Sequence, residues 1–126
     1  MRLALRKVLR IGRCLTASPI LGATPCLTAA RERQSARFAA LGAKGVRTNA
    51  ECSGRLLEEI AMPEETGVAL LRQASETLHL SARGFHRVLR VARTLADLDG
   101  VDQVGRAHVA EALSYRGETL RQQQAA

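Results

Sequence analysis

The sequence predicts an all-α fold, a small helical bundle that follows a loosely ordered leader. Apolar residues recur at helical spacing after residue 30, and the same stretch shows no alternating strand pattern. Residue types that start and stop helices stand between the apolar segments. At 126 residues the chain has room for one small domain. Because aromatic residues make up only 2% of it, the core must consist of leucine, valine and alanine.

Residues 1–30 form a basic leader that we predict to be disordered or partly helical. The first 31 residues hold six of the 19 basic side chains and none of the 12 acidic ones, so the remainder is nearly neutral although the chain carries +7. Arginines three or four residues apart would form a basic stripe on a helix, and they are Arg2, Arg6, Arg10 and Arg13. The segment resembles an organellar transit peptide and, more loosely, a secretory signal. Pro19 and Pro25 interrupt it, which favours a plain leader.

The cysteines predict neither a disulfide framework nor a metal site. Cys14, Cys26 and Cys52 are odd in number and widely spaced, without a CxxC motif or a nearby histidine pair. Reduced thiols in a cytoplasmic protein are the expectation. No apolar run approaches the roughly 20 residues of a membrane span.

The first half of the domain is predicted to contain three helices. A charged, alanine-rich helix over 31–41 ends at Gly42, and a loop follows. Asn49 is a suitable cap for a second helix over about 50–61. Pro63 suits the first turn of a third helix. The apolar positions of that third helix are Val68, Leu70, Leu71, Ala74 and Leu78.

The second half is predicted to contain the longest helix and a final short one. Ser81 caps the longest helix, which stops near Gly100. Its apolar side comprises Phe85, Val88, Leu89, Ala92, Leu95 and Ala96. Its polar side comprises Arg83, His86, Arg87, Arg90, Arg93 and Asp97. The last helix covers 106–116 and ends at Gly117, so the domain spans 31–117 and a polar tail occupies 118–126.

Three arginines on the polar side are candidates for contacts with phosphate or with a neighbouring subunit: Arg87, Arg90 and Arg93. A charged helix face is more often simply solvated, and Asp97 lies one turn from Arg93, where the two side chains can pair. We identify no catalytic residue, because His79, His86 and His108 are scattered. His108 is interpreted as a packing or hydrogen-bonding residue near a helix start.

Three separated motifs resemble the C-terminal domain of the magnesium-chelatase-like AAA+ ATPases of the ComM and YifB type. They are LSAR at 80–83, RVLRVARTLADL at 87–98 and HVAEALSYR at 108–116. Earlier matches extend the resemblance to about residues 31–116, and they are Arg33-Gln34, Arg37, Asn49-Ala50 and Leu70-Leu71. The resemblance implies a helical AAA+ lid, in which Ser-Ala-Arg corresponds to the sensor-2 motif and Arg83 would reach the β- and γ-phosphates of a nucleotide.

The resemblance also implies that the chain is not an enzyme by itself. In this family the Walker A and Walker B motifs and the arginine finger lie in an ATPase core upstream of the lid, and G-x-x-x-x-G-K-[ST] does not occur in this sequence. ATP and magnesium would therefore come from a separate AAA+ core or ring. The family is linked to DNA branch migration in transformation, which would belong to the intact assembly.

Three interpretations stay open at this point. The chain is an accessory module that docks on an AAA+ ring, a standalone nucleic-acid-binding protein, or an inactive truncated gene product. The second interpretation would use the basic leader and the arginine face, and it predicts salt-dependent DNA binding.

Overall fold

The computed structural model describes the backbone of residues 23–125 and the side chains of residues 27–116. This part of the chain contains five α-helices and a 3-10 turn at Asn49–Glu51. The helices are α1 (Ala23–Ala40), α2 (Gly54–Ala61), α3 (Glu65–Thr77), α4 (Ala82–Asp99) and α5 (Arg106–Ala125). The described residues contain no strand, although Pro63 and Val104 form an isolated bridge. The all-α prediction is confirmed.

Helix α4 lies at the centre of the bundle, where it packs against α1, α2 and α5, and α5 also covers α3. Five of the six predicted apolar positions of α4 are buried, and Phe85 is half-buried against the same core. The buried positions are Val88, Leu89, Ala92, Leu95 and Ala96. They meet the apolar interior supplied by the other elements, which includes Leu57, Leu71, Val104, Val109 and Ala112. Non-directional burial of these side chains is the main source of stability.

Both ends of α4 follow the sequence prediction. The Ser81 hydroxyl accepts a hydrogen bond from the Gly84 backbone N–H at 3.2 Å, which satisfies one of the free donors of the first turn. Gly100 ends the helix in the left-handed conformation, with φ of 72°. Sequence spacing therefore placed α4, the central helix, correctly.

Two helices extend beyond their predicted bounds. Helix α1 begins at Ala23 rather than at residue 31, because proline in a first turn loses no helical hydrogen bond and Pro25 is therefore compatible with a helix start. Helix α5 runs through Gly117 to Ala125, so it and not α4 is the longest described helix. A helical glycine costs only about 1 kcal/mol relative to alanine, which does not force an end. The predictions for residues 1–22 lie outside the described residues.

The predicted helix over 50–61 is broken in the structure. A 3-10 turn comes first, Cys52 and Ser53 are extended, and α2 starts only at Gly54. Asn49 was predicted as a cap, and this prediction is wrong because its side chain points into the interior, where the residue is 2% exposed. Pro63 precedes α3 rather than entering it, since the Glu64 N–H is held by the Val104 carbonyl at 2.9 Å.

None of the helices in the described part of the chain is both long and apolar enough to cross a membrane.

Candidate functional site

Arg83 is exposed in the first turn of α4, directly after the Ser81 cap. The backbone N–H groups of a first helical turn have no partner within the helix, and they carry the positive end of the helix dipole. Because Ser81 already takes the Gly84 N–H, it fixes the geometry of this turn. The arrangement presents a guanidinium beside a helix N-terminus, a combination that suits an oxyanion.

The side chain of Arg116, a residue of α5, lies against the start of α4. Sequence reasoning did not predict this contact. Gly84 is buried, and a Cβ atom built there would come within 2.9 Å of the Arg116 Nη2 atom. Because Gly84 has no Cβ atom, the Arg116 guanidinium can occupy the space beside it. The Arg116 Nε atom is buried without a hydrogen-bond partner in the described part of the chain. The residue stands at the end of the HVAEALSYR motif, but no local pattern links it to Gly84.

Arg87 and Arg90 differ in their surroundings. Arg87 is exposed, whereas Arg90 is half-buried and its Nε donates to the Cys52 carbonyl at 2.8 Å. The two side chains border a shallow groove of about 360 Å³. Its other lining residues are Ala50, Val91, Thr94 and Leu95. Of the two residues, Arg87 is the more exposed.

The prediction that Arg93 lies on the exposed face of α4 is wrong. The residue is 2% exposed, because the end of α2 and the connector between α4 and α5 cover it. All five of its N–H donors have acceptors inside the protein. These acceptors are the Asp97 carboxylate, which is used twice, and the carbonyls of Ile60, Val101 and Asp102. Arg93 therefore has no donor left for a phosphate or a neighbouring subunit.

Asp97 is the centre of this buried polar cluster. Its carboxylate accepts from Arg93 Nη2 at 2.9 Å, from Arg37 Nη1 at 3.2 Å and from Asn49 Nδ2 at 2.8 Å. The i,i+4 pairing of Arg93 with Asp97 is confirmed. Burial would raise the pKa of Asp97, but hydrogen bonds from Arg37 and Asn49 and the charges of both arginines outweigh it and hold the pKa below its ordinary value.

Asn49 and Gln34 complete the cluster across long sequence distances. The Asn49 side chain also donates to the Thr94 hydroxyl at 3.2 Å, and its backbone N–H donates to the Gln34 Oε1 atom at 3.3 Å. Arg37, Gln34 and Asn49 all occurred in the resemblance. Apart from the i,i+4 pair of Arg93 and Asp97, however, no local signal in the sequence could show that Arg37 and Asn49 meet at Asp97. Nor could it show that Gln34 joins them through the Asn49 backbone.

His108 is a hydrogen-bonding residue, as predicted. It is 8% exposed, its Nδ1 accepts from the Gly105 N–H at 2.8 Å, and its Nε2 lies 2.9 Å from the Asp99 carboxylate. Because Nδ1 accepts, Nε2 carries the proton in the neutral ring. His108 thereby ties the start of α5 to the end of α4.

The remaining reactive side chains do not converge. His79 stands in an exposed turn with φ of 48°, and His86 lies 3.9 Å from Glu58. Cys52 is buried, and burial raises the pKa of its thiol, which keeps the thiol protonated. The described residues include no group of three side chains arranged to hold a metal ion.

Comparison with known proteins places most of this chain in one family. The family model for the C-terminal region of magnesium chelatase subunit ChlI matches residues 25–116. Competence protein ComM of Haemophilus influenzae is 40% identical over 68 residues, covering 54% of this chain and 13% of that protein. The YifB protein of Salmonella typhimurium is 38% identical over 88 residues, covering 70% of this chain and 16% of that protein.

A third relative is an uncharacterized protein of Mycobacterium tuberculosis, 49% identical over 72 residues, which cover 57% of this chain and 14% of that protein. The matched segments thus span less than one fifth of the length of these relatives. No solved structure matches the chain. Since the family model covers well over half of the sequence, the chain belongs to the family of magnesium chelatase subunit ChlI C-terminal domains.

Proposed function

We propose that this domain is the sensor-2-like lid of a ComM/YifB-type AAA+ ATPase and that it is not catalytic by itself. In this proposal Arg83 contacts the β- and γ-phosphates of ATP that a separate core holds together with magnesium. The lid would act in the cytoplasm as part of an ATPase ring. Family membership supports the lid assignment.

The observation that carries the proposal is the position of Arg83. It is exposed at the capped end of the central helix, and no carboxylate in the described part of the chain pairs with it. A guanidinium is charged at every accessible pH and can donate two parallel hydrogen bonds to phosphate. Because α4 packs against three other helices, movement of Arg83 would move the whole bundle.

A separate core is part of the proposal because one arginine offers few donors. Binding a nucleotide costs several kcal/mol of translational and rotational freedom, which a single contact does not recover. We therefore expect ATP and magnesium to be held by the core, with Arg83 joining the site when the lid closes. DNA processing, as branch migration in transformation, is proposed for the intact assembly alone.

The structure gives less support to a standalone nucleic-acid-binding protein. That interpretation uses the basic leader together with the arginine face of α4, but on this face Arg93 is buried and Arg90 donates to a backbone carbonyl. Arg83 and Arg87 remain exposed on this helix. Two exposed arginines would neutralise few phosphates, and the salt-dependent affinity would be correspondingly low.

The proposal is tested by complementation in trans. A ComM-type ATPase that lacks its own C-terminal domain is mixed with this chain, and ATP hydrolysis is followed at saturating ATP. We expect the chain to raise the rate, and Arg83→Ala to remove about nine tenths of that gain, consistent with loss of a charge-assisted contact. Arg55→Ala, which removes an exposed arginine on α2 that is not a candidate for phosphate contact, is the matched control and should retain the gain.

Two results would overturn the proposal. One is a rate that this chain does not change although the chain is folded, as judged by circular dichroism. The other is equal stimulation by Arg83→Ala and the unchanged chain. The second arm of the test titrates a fluorescent DNA duplex with the chain alone at low salt. Micromolar binding that disappears when residues 1–22 are deleted would favour the standalone interpretation.

A further inference from the structure

Helix α1 docks on the bundle through a narrow face. Among its side chains from residue 27 onward, the buried ones are Ala30, Gln34 and Phe38, which recur every four residues and so line one side of the helix. Phe38 is the only large apolar side chain among them. Phe38 enters the same core as the aliphatic side chains of α2 to α5, to which α4 alone contributes Val88, Leu89 and Leu95. Apolar burial therefore holds α1 less strongly than it holds α4.

Polar contacts supply much of the remaining attachment of α1. Arg37 pairs with Asp97, and Gln34 accepts a hydrogen bond from the Asn49 backbone. Arg33 pairs with Asp102 at 3.1 Å, but the Asp102 side chain is fully exposed. The exposed Arg33 pair exchanges readily with water and contributes little to docking, whereas the Asp97 side chain has no exposed surface, so the Arg37 pair contributes more.

The Asp97 carboxylate does not depend on α1 alone. If α1 moved away, the two hydrogen bonds from Arg93 and the one from Asn49 Nδ2 would remain. Arg37 already has 18% of its side chain exposed and would gain hydration. Release of α1 therefore leaves no buried charge without a partner. A buried charge without a partner is the usual obstacle to opening a buried ion cluster.

We propose that α1 is a strap that releases from α4 as a unit while the α2 to α5 bundle stays folded. The strap is held by Phe38, Gln34 and the Arg37–Asp97 pair. Its release allows the chain on the N-terminal side of the bundle to change direction, while Arg83 stays in place at the start of α4. Such a local opening has a lower free energy than global unfolding.

Native-state hydrogen exchange on the full chain tests the strap. In the unchanged protein we expect the amides of residues 37–40 to exchange about 100-fold faster than those of residues 89–96, with a smaller dependence on urea. Val109→Ala weakens the bundle away from α1. It should accelerate exchange of the α4 amides roughly tenfold through global unfolding and leave the α1 amides within about twofold.

Arg37→Met tests the ion pair itself. It should accelerate exchange of the α1 amides about tenfold, because a charge-assisted contact is lost in the closed state. Arg31→Met, on the exposed side of the same helix, is the matched control and should change those rates less than about threefold.

Three results would overturn the strap. The first is that α1 and α4 amides of the unchanged protein share one rate and one urea dependence. The second is equal acceleration of both helices by Val109→Ala. The third is absence of any protection in α1, since an undocked helix cannot be a strap.

Discussion

At the scale of single residues, Asp97 determines how the second half of α4 is buried. Its carboxylate is surrounded by two guanidinium groups and an amide, and its side chain has no exposed surface. A charge in such a place is tolerated only when it is paired and hydrogen-bonded. The Asp97 cluster thus specifies which face of α4 receives α1 and the connector.

Asp97→Asn should destabilise the domain strongly. The amide NH2 group would face other donors, and Arg37 and Arg93 would lose their shared counter-charge. We expect the free energy of unfolding to fall by about 3–5 kcal/mol, the range for breaking a buried ion pair. Urea denaturation followed by circular dichroism measures it.

Asp102→Asn is the matched control, because it removes the same charge from an exposed pair with Arg33. Its urea midpoint should stay close to that of the unchanged protein. Similar losses in the two variants would show that the Asp97 cluster does not stabilise the fold.

Acid should weaken the domain through the same carboxylate. The pKa of Asp97 is lowered in the folded state, so between its unfolded value and its folded value the unfolded chain binds more protons. The contribution of Asp97 to stability is therefore complete above about pH 4 and is lost as the pH falls through the folded value. Urea midpoints measured from pH 6 to pH 2.5 should show the unchanged protein converging on Asp97→Asn at the acid end. A gap of constant size would contradict this assignment.

At the scale of elements, the ends of α4 were predictable because each depends on one local rule. Ser81 caps the first turn through its own hydroxyl, and Gly100 adopts a positive φ that other residues avoid. The ends of α1 and α5 were not predictable in the same way. Pro25 and Gly117 are compatible with helix as well as with its interruption.

Gly100→Ala should destabilise the domain by about 1 kcal/mol, because alanine is strained at φ of 72°. For a domain of this size, that corresponds to a loss of roughly 4–8 °C in Tm. Gly100→Asn is the matched variant, since asparagine tolerates the left-handed region, and it should lose about half as much. Calorimetry distinguishes the two, and equal losses would mean that the strain lies elsewhere.

Sequence patterns were weakest for residues that meet through tertiary packing. Arg93 occupies a polar position on the helical wheel, so periodicity assigned it to the solvent face, but the end of α2 and the connector after α4 cover it. Asn49 matched a cap rule and instead donates to Asp97. In the candidate site, the Ser81 cap and the position of Arg83 in the first turn of α4 could be predicted from the local sequence. The approach of Arg116 to Gly84 did not, because it joins two helices.

At the scale of the whole molecule, the buried cluster and the exposed site lie toward opposite ends of α4. Asp97 and Arg93 fix the end that α1 and the connector cover, whereas Arg83 is exposed at the other. A rigid helix between them is suited to turning a contact at one end into a movement of the bundle. In the proposed function, Arg83 is the residue through which the lid would respond to nucleotide.

The nucleotide dependence of binding tests this claim most directly. The fluorescently labelled chain is titrated with a ComM-type ATPase that lacks its C-terminal domain, in ADP and in a non-hydrolysable ATP analogue. We predict a Kd about tenfold lower with the ATP analogue, as expected for one added charge-assisted phosphate contact, and equal Kd values in the two nucleotides for Arg83→Ala. A chain that binds equally in both nucleotides, or an Arg83→Ala variant that keeps the full difference, would contradict the account.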